Sequence, residues 1–322
     1  MGSVGRFVPL VLSFLGLIGC GSSGSTAKDA GTKDGGPKDG AVPIYPADTI
    51  CVPSGWCWEN PVPTGDANTA VWGSGPDDVW MVGGGAGALH WDGKGWSNID
   101  PPTTRNLSGI WGTAANDVWS VGRSDSYGSA IVHWDGSSWS DAGGDATAGT
   151  TSLNGIWGSG ANDIWAVGSE GTALHWDGTS WSPTSTGIVT NLAAVSGSGP
   201  QDVWAVSDDL GQGAILHWNG TSWSTTQTLT DAMLAGIWAS GPDDAWAVGS
   251  SAGNGITFHW DGTVWTFMGV IPGVGLHGVW GTADVWTVGA GGVVVRWKGG
   301  EATAVGPQTS PSDTFLCVWG SS

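Results

Sequence analysis

From Asn68 to the C-terminus, short apolar runs alternate with clusters of Gly, Asp, Asn and Ser, and the alternation recurs as a long repeat. One copy reads Leu153-Asn154-Gly155-Ile156-Trp157-Gly158, then Asp163-Ile164-Trp165-Ala166-Val167-Gly168, then Ala173-Leu174-His175-Trp176, then Trp181-Ser182. Four strand-length runs punctuated by turn residues predict a four-stranded antiparallel sheet. Gly-Pro-Asp-Asp or Ala-Asn-Asp separates the first two runs, and a Gly-rich bend separates the second and third. Asp-Gly, at Asp92, Asp135, Asp177 and Asp261, joins the third and fourth and predicts a tight primed turn, with Asn219-Gly220 in the equivalent place.

Tryptophan marks the register. The first slot holds Trp72, Trp111, Trp157, Ser196, Trp238, Trp280 and Trp319, at spacings of 39, 46, 39, 42, 42 and 39 residues. The second holds Trp80, Trp119, Trp165, Trp204, Trp246 and Trp286, and the third Trp91, Trp134, Trp176, Trp218, Trp260 and Trp297. The fourth holds Trp96, Trp139, Trp181, Trp223 and Trp265; with Trp56 and Trp58, all 25 tryptophans are placed. One such sheet cannot bury both of its faces, but a ring of them can, with indoles filling the wedges between neighbours. The expected fold is therefore all-β: a β-propeller of four-stranded blades over residues 48–322, about seven in number with the last incomplete, or six. Gly55-Trp56-Cys57-Trp58-Glu59 reads as a fourth strand without its first three, and Phe315-Leu316-Cys317-Val318-Trp319-Gly320 as a first strand without its partners. A shared terminal blade would lack two middle strands, which suggests a truncated C-terminus or a six-blade ring with extra strands outside.

Trp165-Ala166-Val167-Gly168, followed by Gly171-Thr172-Ala173-Leu174-His175-Trp176-Asp177-Gly178 and Trp181, resembles the Asp-box (BNR-type) repeat, in the flavour of photosystem II stability factor-like propellers. The likeness covers roughly Trp56 to the C-terminus and departs from the Asp-box in a Trp before the Asp and a single Gly after it. It implies the propeller fold. Because Asp-box repeats also occur in sialidases and other glycosidases, it brings in an enzyme alternative, a secreted glycoside hydrolase or polysaccharide lyase. A sialidase-like site uses an arginine cluster and a Tyr–Glu pair. Beyond the tether the arginines are Arg105, Arg123 and Arg296, the tyrosine is Tyr127, and the glutamates are Glu59, Glu170 and Glu301, none in a motif of that family.

Ahead of the repeat lies a different pattern. Arg6 precedes an apolar stretch from Phe7 to Gly19, too short to span a bilayer but suited to a signal-peptide core over residues 1–19. The stretch ends in Leu17-Ile18-Gly19-Cys20, which resembles a bacterial lipobox and implies lipid attachment at Cys20. Residues 20–47 lack apolar periodicity and carry three Lys-Asp cassettes whose charges nearly cancel, as a flexible tether would. The expected address is the cell envelope of a bacterium, with the lipid as the sole membrane contact. Cys51 and Cys57 bracket Val-Pro-Ser-Gly-Trp and suggest a local disulfide after export. Cys317 falls where other copies have Gly or Ala, so a buried free thiol is expected, with a bridge to the pair Cys51 and Cys57 as the alternative.

Charge narrows the chemistry. With 9 basic and 28 acidic side chains the formal net charge is -19, which disfavours nucleic acid and anionic surfaces. His90, His133, His175, His217 and His259 share one repeat slot, with Arg296 in the sixth copy, and read as structural rather than as metal ligands. Asp78, Asp117, Asp163, Asp202, Asp244 and Asp284 fill another slot in every copy and suggest one local task per blade, accepting backbone N–H groups of a turn. Calcium at a few of these loops is the minor alternative, and no other metal or cofactor is expected. Asp208-Asp209 and Asp77-Asp78 read as solvated pairs. Gly249-Ser250-Ser251-Ala252-Gly253 matches a nucleophile-elbow pattern but lies between strands, where that motif has no strand-to-helix turn.

No catalytic residue is expected. The sequence reads instead as a lipid-anchored binding or scaffolding propeller for a glycan or a protein. Specificity would reside in segments that differ between copies: Ser124–Ser129, Asp141–Thr151, Asp208–Gln212, Ser251–Asn254 and Phe267–Gly275.

Overall fold

A computed structural model describes residues 68–84, 87–102, 106–123, 128–147, 149–209, 211–305 and 314–320, together with the backbone of five short strands nearer the N-terminus. Residues 24–47 of the tether, Glu59, Arg105, Tyr127 and the loop over 124–127 lie outside the described residues.

Six four-stranded antiparallel blades follow one another with strands in sequence order. Blade 1 comprises Asn68–Gly75, Asp78–Gly83, Ala88–Trp91 and Trp96–Asn98. Blade 2 comprises Asn106–Ala114, Asp117–Arg123, Ala130–Trp134 and Trp139–Asp141. Leu153–Gly160, Asp163–Gly168, Ala173–Trp176 and Trp181–Pro183 form blade 3. Blade 4 is built of Leu192–Gly199, Asp202–Ser207, Gln212–Trp218 and Trp223–Thr230. Ala232–Gly241, Asp244–Ser251, Asn254–Trp260 and Trp265–Ile271 make blade 5. Blade 6 contains Leu276–Gly281, Val285–Gly289, Val294–Lys298 and Glu301–Ala304.

The strand Thr314–Gly320 begins a seventh sheet. Its backbone pairs with Leu17–Ser23, which pairs with Leu10–Leu12, then Cys57–Trp58 and Ile50–Cys51. The fourth place thus falls to Cys57–Trp58, inside the segment expected to supply a fourth strand. The two middle places, expected to be vacant, are taken by Leu17–Ser23 and Leu10–Leu12. These are the apolar residues expected as an export signal, and they are the apolar run that the repeat leaves unpaired.

Burial is organised between blades rather than within them. Each core draws on two successive blades, as in the cluster of Trp119, Val121, Ile156, Ile164 and Trp181, and the last joins Val79, Met81 and Leu89 of blade 1 to Cys317 and Trp319. The second-slot indole of one blade meets the third-slot and fourth-slot indoles of the next. Trp80 lies 5.2 Å from Trp134 and 5.4 Å from Trp139, and Trp165 lies 4.8 Å from Trp218 and 5.2 Å from Trp223. The fourth-slot rings stand nearly perpendicular to their partners, at 89° for Trp139, 75° for Trp181 and 88° for Trp223 and Trp265. Their buried Nε1 groups have no oxygen or nitrogen acceptor, and the rings pack edge to face, a geometry that aromatic pairs favour.

The first-slot indoles demand a small residue next door. A Cβ on Gly112 would stand 2.8 Å from the Trp72 ring, and one on Gly73 would stand 2.7 Å from Trp319, which closes the ring. Where the slot holds Ser196 instead of Trp, the following blade has Ala239, and the Ala239 N–H donates to Ser196 Oγ at 3.3 Å. Loss of the large ring and gain of a methyl group thus occur together.

Two local expectations are corrected. The Asp-Gly connections are not two-residue primed turns, because Trp91 pairs with Trp96 across the four residues Asp92–Gly95. Asp92 Oδ1 accepts the N–H groups of Lys94 and Gly95, an Asx turn that needs positive φ at Gly93 alone. A primed turn occurs instead at Ala252-Gly253, φ 49° and 77°, between paired Ser251 and Asn254. Cys317, expected as a free thiol, is disulfide-bonded. Antiparallel pairing sets Cys20 opposite it, and sets Cys51 opposite Cys57.

Candidate functional site

Antiparallel order divides the connections between two ends of the ring. First-to-second and third-to-fourth turns share one end, and Gly93 packs there on Asp77, as Gly178 does on Asn162. Second-to-third loops and the links to the next blade share the other.

The first end carries the repeated carboxylates and imidazoles, and it brings them together within each blade. His90 Nε2 lies 2.6 Å from Asp78 Oδ1, and the equivalent pairs are His133–Asp117 at 2.7 Å, His175–Asp163 at 2.6 Å, His217–Asp202 at 2.7 Å and His259–Asp244 at 2.9 Å. A hydroxyl from the first strand donates to the same carboxylate: Ser74 to Asp78, Ser198 to Asp202 and Ser240 to Asp244 at 2.5 Å each, with Thr113 to Asp117 and Ser159 to Asp163. Trp119 and Trp246 add their Nε1–H at 2.9 and 3.0 Å. Each imidazole also packs on the second-slot indole, 4.2 Å between centroids for His90 and Trp80.

Blade 6 keeps both contacts with a different side chain. Arg296 donates to Asp284 through Nε at 2.8 Å and through its terminal nitrogen, while its guanidinium lies 5.6 Å above the Trp286 ring.

The expected partners of this aspartate row were turn N–H groups; the structure gives them side-chain donors. Backbone acceptance belongs to the other row, where Asp135, Asp177 and Asp261 each hold two turn N–H groups and a hydroxyl, and Asn219 does the same. Burial alone would raise Asp163, but hydrogen bonds from His175 and Ser159 outweigh it and hold the carboxyl below its ordinary value, and Asp117, Asp202 and Asp244 follow suit. Asp135, Asp177 and Asp261 are lowered to about 2 by hydroxyl and backbone donors. The serine and threonine row was missed in the sequence, although its signal is plain: a hydroxyl four residues before each aspartate from Asp78 to Asp244. Among the described residues no three of His, Cys, Asp and Glu gather as a ligand set for a metal ion. The arrangement spends its polar atoms on its own blade.

The second end is irregular. Among the described residues it holds all three non-glycine residues with positive φ, Glu170 at 55°, Asp231 at 54° and Ala252 at 49°. Backbone of this kind persists only where surroundings enforce it, and it concentrates at ligand sites. Around Glu170, the 3-10 turn Ser169–Gly171 is clamped by Thr186, whose Oγ1 donates to the Gly171 carbonyl at 2.8 Å, and by Asn191, whose Oδ1 accepts the Glu170 N–H at 3.2 Å. Gly171, φ 70°, is required, since a Cβ would meet the Ile188 oxygen at 2.1 Å.

Beside this turn Asp145, Ala146 and Thr150 of the Asp141–Thr151 segment line an open cleft of about 330 Å³ against blade 3. Asp145, Thr150, Thr172 and Thr184 give it a carboxylate and hydroxyls, with Leu174 and Pro183 as an apolar floor. Asp208, half-buried in the next second-to-third loop, is pushed up by burial and by the charge of Asp209, so of this pair only Asp209 stands in solvent as expected. His277, on the first strand of blade 6 and away from the repeated histidines, is pushed down by burial.

Of the segments expected to carry specificity, Asp141–Thr151 lines the cleft, while Phe267–Ile271 continues the outer strand of blade 5. Ser251 of the nucleophile-like motif spends its hydroxyl on the Asp231 carbonyl at 2.8 Å. Thr172 and Thr184 carry no sequence signal, being single hydroxyls in a chain rich in them.

No family model and no curated protein matches this chain. Solved structures do. YCF48 bound to D1 peptide is 16% identical with a TM-score of 0.57, over 82% of this chain and 85% of that one. Virginiamycin B lyase from Staphylococcus aureus is 13% identical with a TM-score of 0.62, over 76% and 85%. The SapL1 lectin in complex with alpha methyl fucoside is 15% identical with a TM-score of 0.50, over 71% and 91%. At these identities the likeness is one of fold, and the chain is similar to all three in being a propeller of four-stranded blades.

Proposed function

We propose that this protein is a non-catalytic binding propeller of the bacterial envelope, anchored by lipid at Cys20, which takes a glycan or protein ligand on the irregular end of its ring. The observation that carries the binding reading is the cleft beside Glu170, where strained backbone, an inserted segment and four polar side chains converge on one concavity. Similar propellers have been solved with a peptide and with a fucoside, so a ligand of either class fits the scaffold. The Asp-box likeness of the repeat is part of the same reading. The opposite end has its carboxylates and imidazoles paired within blades and leaves little for a ligand.

Glycan and peptide arrays probed with the protein test the binding reading. Selective capture, weakened by Asp145→Ala and Thr184→Val without loss of fold, supports it. Turnover of a bound glycan, abolished by one carboxylate substitution, overturns it in favour of the hydrolase or lyase. Anchoring is tested separately by labelled palmitate, which should enter wild type and not Cys20→Ala. Cleavage before Cys20 would also strip Leu10–Leu12 and Leu17–Gly19 from the seventh sheet, and a thioether on Cys20 would exclude a disulfide from that sulfur to Cys317 opposite it, so the mass of the mature N-terminal peptide reports these events together.

A further inference from the structure

The outer strands differ in a way the repeat does not require. In blades 1 to 3 they are three residues long, and the third ends in Pro183, devices that keep a sheet edge from recruiting another strand. Blade 6 presents Glu301–Ala304, exposed throughout and led by an acid. The longer strand of blade 4, Trp223–Thr230, shows solvent mostly Ser, Thr and Gln.

Blade 5 breaks this pattern. Its outer strand Trp265–Ile271 runs seven residues, with a bulge at Met268 that brings Phe267 and Val270 to one face, and no described strand pairs with its outer edge. Phe267 and Val270 are 50% and 48% exposed, and Val264 in the preceding turn is 53% exposed. These are three of the four large apolar side chains exposed among the described residues. Met268 and Ile271 are covered by blade 6, so the exposure belongs to one flank of the strand.

Charge selects the occupant. No Asp, Glu, Lys or Arg lies between Asp261 and Asp284, in a chain of net charge -19. The edge is therefore a neutral, apolar window in an acidic body, with the exposed Asp261 at its start. A second copy would bring the same acid and the same net charge against it, and so would be repelled.

We propose that the free edge of Trp265–Ile271 is a docking surface for an extended segment of a partner protein, apolar at alternate positions and ending in a basic residue that meets Asp261. The partner adds as a further strand. Its backbone satisfies the N–H and C=O groups that the edge leaves open, and its alternate side chains lie against Phe267 and Val270. This surface is remote in sequence from the cleft residues and does not depend on what the cleft binds.

The test uses the full-length protein and a labelled peptide, Lys-Val-Thr-Val-Thr-Val-Lys, read by fluorescence anisotropy. Saturable binding is expected, weakened by at least ~10-fold in Phe267→Lys and in Val270→Lys. Both side chains are half exposed, so melting profiles should show both variants folded. Asp261→Asn should weaken binding less and reduce its salt dependence, while keeping the turn that Asn219 already forms in blade 4. Strand addition uses only every second amide, so N-methylation in one phase should abolish binding and in the other should spare it. Absence of saturable binding, equal binding of both methylated peptides, or wild-type affinity in both lysine variants would overturn the proposal. So would concentration-dependent dimerisation abolished by Phe267→Lys, which would make a second copy the occupant.

Discussion

At one end of the ring five blades repeat a single arrangement, with imidazole-to-carboxylate separations from 2.6 to 2.9 Å, and the sixth substitutes an arginine without losing either contact. At the other end the connections vary, from the tight Ala252-Gly253 turn of blade 5 to the Ser169–Thr172 loop of blade 3, which blade 6 repeats, and three non-glycine residues hold left-handed backbone. The regular end satisfies itself: every aspartate of the row is met by donors from its own blade. The irregular end carries what the repeat does not use, including a cleft and a half-buried carboxyl at Asp208. Repetition thus supplies stability, and departure from it supplies the surface on which the proposed recognition rests.

The largest test of this division is Trp165→Ala. The ring is fully buried between blades 3 and 4, and its removal should cost about 3–5 kcal/mol in chemical denaturation. Binding at the cleft should change only as far as the ring itself loosens; a variant equally stable but unable to bind would blur the comparison.

Asp163→Ala comes next. It strands the His175 ring and the Ser159 hydroxyl and should cost about 1–3 kcal/mol. The same row predicts acid sensitivity. Asp117, Asp163, Asp202 and Asp244 have lowered values in the folded protein, so the unfolded chain binds protons first as pH falls. Their stabilisation is present above the ordinary value of 3.8 and is lost as pH drops through the folded values, with the turn aspartates at about 2 following last. Thermal melts from pH 6 to pH 2 should show a falling midpoint, and a flat profile would contradict the network.

A smaller effect should come from restoring the missing indole. Ser196→Trp alone should destabilise by overpacking against Ala239, and Ala239→Gly should recover part of the loss, with a coupling of about 0.5–3 kcal/mol in a double-mutant cycle. Additive effects would show that the two substitutions arose independently. Smallest of all, Ala252→Gly should gain up to about 1 kcal/mol by removing the cost of left-handed backbone, with no change at the opposite end.

Much of this was legible in advance because tryptophan spacing is itself a record of contacts. Rows of indoles at one register can be buried only if blades follow one another, so ring, blade order and inter-blade packing followed from Trp80, Trp134 and their equivalents. The Asp–His pairs were visible as two separate rows, but not as partners, since residues 12 to 16 apart meet only when the hairpin between them is known. The Asp-Gly turn was misread because an Asx turn and a primed turn share the same dipeptide, and loop length depends on which tryptophans pair. The two middle strands of the seventh sheet escaped the reading for a related reason: pairing between Leu17–Ser23 and Thr314–Gly320 joins the two ends of the chain, and local pattern carries no signal for it. The cleft was less visible still, because Thr172 and Thr184 are ordinary hydroxyls until the Asp141–Thr151 segment folds against them.

By itself, then, the order of residues determined the blade, its number of strands and the face that each indole buries, because these depend on periodicity and on apolar area that must leave water. Tertiary structure alone decided which carboxylates are spent, which edge stands open and where polar groups gather around a concavity. Those outcomes depend on distances between segments far apart in the chain, and such distances exist only after the ring has closed.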